Sequence, residues 1–244
     1  MSAQTVFWFA LLTALATGLG AVPFLFVRQM SLKWVGLSNA IAAGLMGAAS
    51  AGLIHEGFDY GIGSTLAGVM VGLVFIARSQ RALEARPGLS LGSLRGADAQ
   101  KALLVLAIMT LHSFTEGIGV GVSFAGGRAL GIFITTAIAV HNIPEGLAIS
   151  LVMVPKGTPV WRAAAWSVFS SLPQPLLAVP AFLFVEAFEP FLPVGLGFAA
   201  GAMIWLVFAE LVPEALKTAS RDAVAFAITI SLVAMLAFQM VLRV

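Results

Sequence analysis

Two short segments of this chain repeat one pattern, His112-Ser-Phe-Thr-Glu116-Gly117 and, 29 residues on, His141-Asn-Ile-Pro-Glu145-Gly146. In each, the glutamate follows the histidine by four residues, so on a helix the pair shares one face about one turn apart. An imidazole and a carboxylate placed this way can touch one cation. Two such helices side by side would offer two nitrogens and two anionic oxygens, a donor set suited to a borderline divalent metal such as zinc, iron(II), manganese or cobalt. The same residue types also build proton relays, and His⁺ paired with Glu⁻ can simply tie two helices together. A membrane hydrolase using a metal-bound water is a further chemistry. The H-E-x-x-H spacing common in zinc hydrolases is absent, which weighs against an enzyme. Duplication at identical offsets favours metal ligands. Pro144 adds to this, because a proline inside a helix removes one backbone hydrogen bond and frees the carbonyl four residues back, at Val140. A histidine must be neutral to ligate, so acid should weaken binding and binding should release protons.

The elements that must carry these motifs are apolar. Of 244 residues 60% are hydrophobic and only 10% charged, and the mean hydropathy is +1.02. That composition belongs in a bilayer, where about 20 apolar residues cross the hydrocarbon core. Apolar runs near 5–27, 34–54, 61–77, 102–124, 129–153, 160–185, 193–216 and 222–242 predict an all-α polytopic protein with eight transmembrane helices in a single domain, 1–244. The first run lacks a charged region before it and a small-residue cleavage site after it, which predicts a retained helix. With the N-terminus outside, Arg128 and Arg243 alone among the 13 lysines and arginines fall on the outer face. The positive-inside rule therefore predicts both termini extracytoplasmic. Residues 78–101 read as a cytoplasmic loop between spans three and four, rich in charge and glycine and free of histidine. The acids Glu56, Asp59, Glu186 and Glu189 gather at the outer face, where solvated loop acids are the ordinary reading and concentration of cations the functional one.

Cysteine is absent, which excludes disulfides and thiolate metal sites. The formal charge of +2 and the lack of a basic run interleaved with aromatics argue against nucleic acid as a partner. Gly68/Gly72, Gly117/Gly121 and Gly197/Gly201 have the four-residue spacing that lets membrane helices approach closely, either within the chain or in a homodimer. Glu210 and Glu214 lie in the inner half of the seventh span, where a charge needs compensation or a purpose. Helix-end pairing with Lys217 would satisfy Glu214. His55 and Glu56 mark an outer helix end and read as a surface pair, and Met46, mid-span beside Gly44, Gly47 and Ala48, could bring its thioether to a neighbouring helix or simply pack.

Eight spans, a cytoplasmic loop after the third and two H-x-x-x-E-G motifs together resemble the ZIP (Zrt/Irt-like) family of metal transporters, and its bacterial GufA-like branch in particular. The stretch from Ala199 to Glu214 is similar to that family's seventh span, and Ser170-Ser-Leu-Pro-Gln-Pro175 is similar to a segment that usually reads Ser-Gly-x-x-Glu-Pro. The resemblance implies uptake of a divalent metal across the bacterial cytoplasmic (inner) membrane, with Zn2+ as substrate ahead of Fe2+, Mn2+, Co2+ and Cd2+, and no organic cofactor. It also implies alternating access, one group of helices moving against a more static one. It implies a first metal site of Met46, His112, Glu116, His141 and Glu145, and a second position at Ser113, Asn142 and Gln174 sharing the two glutamates. Glu210 and Glu214 would lie on the release pathway. At the second position the family commonly has Asn where Ser113 stands and Glu where Gln174 stands, so this position is expected to bind a dication less tightly than the family pattern, with one or two ions per centre left open.

Overall fold

Long apolar runs with few turn-forming residues fold as helix almost throughout. The computed structural model describes residues 1–27, 31–84, 97–187 and 189–242. In chain order the helices are α1 (Ala3–Gly18), α2 (Leu32–Tyr60), α3 (Ile62–Glu84), α4 (Ala97–Ala125), α5 (Arg128–Met153), α6 (Val160–Ser171), α7 (Pro173–Ala187), α8 (Leu192–Leu206), α9 (Val212–Thr218) and α10 (Arg221–Leu242). Among the described residues, seven stretches are long and apolar enough to cross a membrane: Ala3–Leu25, Leu32–Tyr60, Ile62–Ala82, Arg128–Lys156, Val160–Ala187, Leu192–Thr218 and Arg221–Val241. The 29-residue α4 lies among them and carries the first motif. The chain is a polytopic membrane protein, and Phe226, Ile230, Val233 and Met240 of α10 keep large apolar side chains exposed where lipid would cover them.

Helix boundaries depart from the sequence reading where a local cause can be named. The first span is α-helical only to Gly18 and tightens into a 3₁₀ helix over Leu19–Leu25, a stretch containing Gly20 and Pro23. α2 continues past His55 and Glu56 to Tyr60. α3 continues to Glu84 and α4 starts at Ala97, so helix occupies both ends of the expected 78–101 loop. Residues 85–96, with Arg86 and Arg95, lie outside the described residues, as do Arg28 and Arg243. The sixth span breaks at Leu172 into α6 and α7, where Pro173 and Pro175 cannot donate backbone hydrogen bonds. In the seventh, Pro213 cannot bond the carbonyl of Ala209, and the backbone widens into a π-type turn over Val207–Leu211, closed by the Val212 N–H on the Val207 carbonyl.

The small-residue spacings are consumed inside the fold. A Cβ on Gly68 or Gly72 of α3 would stand 2.2 Å from the Val194 carbonyl or 2.0 Å from that of Phe198, both on α8. Reciprocally, Gly197 and Gly201 of α8 press on the Thr65 and Val69 carbonyls of α3 at 2.1 and 2.2 Å. Gly117 and Gly121 hold α4 against the backbone of Gln174 and Ala178 on α7. These spacings serve packing within the chain, the first of the two uses that the sequence allowed. α4 thereby packs among α5, α7 and α8, and α5 among α1, α2 and α4, so the motif helices occupy the middle of the bundle. Gly127, at φ +132°, makes the turn between them in a conformation that L side chains rarely adopt.

Candidate metal centre

α4 supplies His112 and Glu116 and α5 supplies His141 and Glu145, and all four side chains are buried. One ligand atom from each lies within 4.8 Å of the others. Tetrahedral ligand atoms bonded to one ion at roughly 2.0–2.2 Å stand about 3.4 Å apart, so pairs nearer than this would spread and pairs farther apart would draw in. His141 Nε2 is 2.6 Å from Glu116 Oε1, and His112 Nε2 is 3.3 Å from the same oxygen and 2.9 Å from Glu145 Oε1. Close as they are, His112 Nε2 and Glu145 Oε1 are not aligned as a hydrogen bond, and both remain buried without a hydrogen-bond partner. Buried polar atoms without partners are uncommon and ask for an explanation. Here the nitrogen and the oxygen belong to one cluster of four donors, and a cation bound by that cluster would satisfy both. With neutral imidazoles the two carboxylates carry two negative charges, the complement of one dication.

Met46 is fully buried in α2. Gly44, two residues earlier, faces α10, where a Cβ would meet the Ser231 hydroxyl and the Ile228 carbonyl. Two residues turn about 200° around a helix, so Met46 presents to the opposite side. α2 packs there against α5 and α8.

The second position is a hydrogen-bonded cluster. Gln174 donates through Nε2 to Glu116 Oε2 at 2.5 Å and accepts through Oε1 from the Thr13 hydroxyl. Asn142 donates its amide to the Thr13 carbonyl at 2.9 Å and to Gln174 Oε1 at 3.3 Å, while its own Oδ1 stays without a partner. Ser113 reaches only the Ser171 hydroxyl, at 3.5 Å, and Thr17 meets the same serine at 2.8 Å. Thr13, Thr17 and Ser171 were not singled out by sequence. The signal available was two threonines one turn apart, on one side of α1, in a helix otherwise apolar beyond Thr5.

Glu214 forms an exposed ion pair with Lys217 at 2.8 Å, the helix-end reading of that residue. Glu210, inside the π-type turn, accepts from Gln80 of α3, which in turn accepts from the Trp205 indole at 3.1 Å. His55 is exposed at the far end of α2.

Fold and site together define a membrane-embedded helical bundle with a buried cluster of two histidines and two glutamates on two adjacent helices, a donor set that suits a cation. The family model of the ZIP zinc transporters matches residues 91–240. Zinc transporter GufA of Myxococcus xanthus is 31% identical over 84% of this chain and 86% of its own length. Zinc transporter ZIPB of Bordetella bronchiseptica is 36% identical over 82% of this chain and 69% of its own. This chain belongs to the ZIP family. A putative zinc transporter of Arabidopsis thaliana is 52% identical over 96% of the chain, which spans 38% of that relative's length.

Proposed function

We propose that this chain carries a divalent transition metal, zinc first, across a membrane into the cytoplasm, with His112, Glu116, His141 and Glu145 as the transport site. One observation carries the reading: two imidazoles and two carboxylates converge in the interior of a membrane bundle, with His112 Nε2 and Glu145 Oε1 buried there without a hydrogen-bond partner. Relatives named as zinc transporters support zinc; Fe2+, Mn2+, Co2+ and Cd2+ suit the same donors. Met46 joins as a fifth ligand through its thioether, which favours softer cations over calcium or magnesium. Glu210 and Glu214 serve the inner pathway in an accessory role.

The centre holds one ion. At the neighbouring position both ends of the Gln174 amide are engaged, and the remaining oxygens, Asn142 Oδ1 and Ser113 Oγ, are neutral. A second dication would share a carboxylate already matched to the first. The direction into the cytoplasm follows from the orientation with lysines and arginines inside and acids outside, in the cytoplasmic (inner) membrane of a bacterium.

Zinc flux into proteoliposomes tests the reading. Glu145→Ala and His141→Ala should each lower flux by roughly tenfold or more, at least the loss seen when a metal site loses a mere outer-shell partner. Unchanged flux in both variants would remove the site.

A further inference from the structure

α1 contains no ionisable side chain, yet it touches the centre. Thr13 is fully buried and offers two groups to the site's flank. Its hydroxyl donates to Gln174 Oε1 and its carbonyl accepts from the Asn142 amide. A helical threonine ordinarily spends its hydroxyl hydrogen on a carbonyl of its own preceding turn, and the Ala10 carbonyl does lie 2.7 Å away. The hydroxyl has one hydrogen, so bonding to Gln174 competes with that internal bond.

The direction of the Gln174 amide follows. Its nitrogen must face Glu116, because an amide oxygen 2.5 Å from a carboxylate oxygen would repel it. Its oxygen must then face donors, and the two present are the Thr13 hydroxyl and Asn142 Nδ2. The second of these is 3.3 Å away, at the weak end of the range. Without the Thr13 hydroxyl, the amide is held on that side by one long bond and is free to turn. Glu116 would then lose the donor that fixes Oε2 and, with it, the orientation that aims Oε1 at both histidines.

We infer that Thr13 is a positioning residue of the metal centre, acting through Gln174 to hold Glu116 in its ligating orientation. The inference rests on the transport reading above and adds α1 to the elements that set zinc affinity. It commits the chain Thr13 to Gln174 to Glu116 to a single energetic unit, which a double-mutant cycle can read.

The test measures zinc affinity of the full chain in detergent by competition with a zinc-binding dye, alongside KM for zinc uptake in proteoliposomes. Thr13→Val keeps the shape and removes the hydroxyl, and should weaken affinity and raise KM by about tenfold, the effect of losing a partner that orients a ligand. Thr13→Ser restores the hydroxyl and should return both values to within about twofold of the parent. Gln174→Ala should match Thr13→Val, and adding Thr13→Val to it should change nothing further. Thr13→Ala replaces Thr13→Val if the valine variant does not assemble.

An affinity indifferent to the loss of the hydroxyl would overturn the inference. So would failure of Thr13→Ser to rescue, or a full effect of Thr13→Val in the Gln174→Ala background, since either would mark residue 13 as packing alone. A parent chain that neither binds nor moves zinc would overturn the transport reading itself, a result distinct from zinc binding that ignores residue 13.

Discussion

At the level of single residues, the centre is defined by where hydrogen bonds stop. Gln174 donates to one oxygen of Glu116, whereas His112 Nε2 and Glu145 Oε1 end in the interior without a hydrogen-bond partner. That asymmetry predicts one zinc per chain. It also predicts what a carboxylate at position 174 would do: one oxygen would still accept from Thr13 and Asn142, and the other would stand beside Glu116, a repulsion that a cation relieves. Gln174→Glu should therefore raise the zinc content of gel-filtered protein, measured by elemental analysis, from one ion to two. Two ions in the parent, or one in the variant at saturating zinc, would show that hydrogen bonding does not set the stoichiometry. The four converging side chains were legible in the sequence because two H-x-x-x-E pairs repeat at identical offsets in apolar runs. Thr13 was not, since a threonine in a membrane helix usually bonds its own backbone and only the packing of α1 on α5 and α7 reveals another partner.

Among the elements, close backbone approach sets the positions of the motif helices. Gly121 lets α4 lie on α7, where a Cβ would come within 2.1 Å of the Ala178 carbonyl, whereas a Cβ on Gly47 of α2 would meet nothing within 4 Å. A backbone carbonyl cannot turn aside as a long side chain can. Gly121→Ala should cost about 1–3 kcal/mol of stability through overpacking. Gly47→Ala should be neutral, or gain up to about 1 kcal/mol from helix propensity. Thermal loss of the monodisperse gel-filtration peak in detergent compares them, and equal midpoints would break the argument. The sequence spacings of Gly68/Gly72, Gly117/Gly121 and Gly197/Gly201 announced close packing correctly, but not which helices would meet. That depends on the reciprocal fit of α3 with α8, a matter of two distant segments together. The breaks at Leu172 and Val207–Leu211 were likewise hidden: prolines 173 and 213 were visible, but a proline can kink, break or widen a helix, and the neighbours select among these.

On the scale of the whole molecule, the distribution of lysine and arginine predicts which face is outside. The absence of cysteine makes this directly measurable, because any introduced thiol is the only one. Ser2→Cys, before α1, should react in intact cells with a membrane-impermeant maleimide, and Ser220→Cys, between α9 and α10, only after permeabilisation. The opposite pattern would invert the topology and with it the direction of uptake. Seven of the expected spans followed from apolar length alone, and their grouping around α4 and α5 required the fold. The wide turn at Val207–Leu211 gives this architecture a place to absorb changes in chain length. A π-type turn takes one residue more than an α-helical turn, so loss of one residue there, such as the lipid-facing Phe208, would regularise the helix while α8 and α9 kept their rotational phase. Elsewhere in a membrane span the same deletion would turn every later side chain by about 100°. This span can shed a residue in the course of evolution without swinging Glu214 and Lys217 away from where they stand.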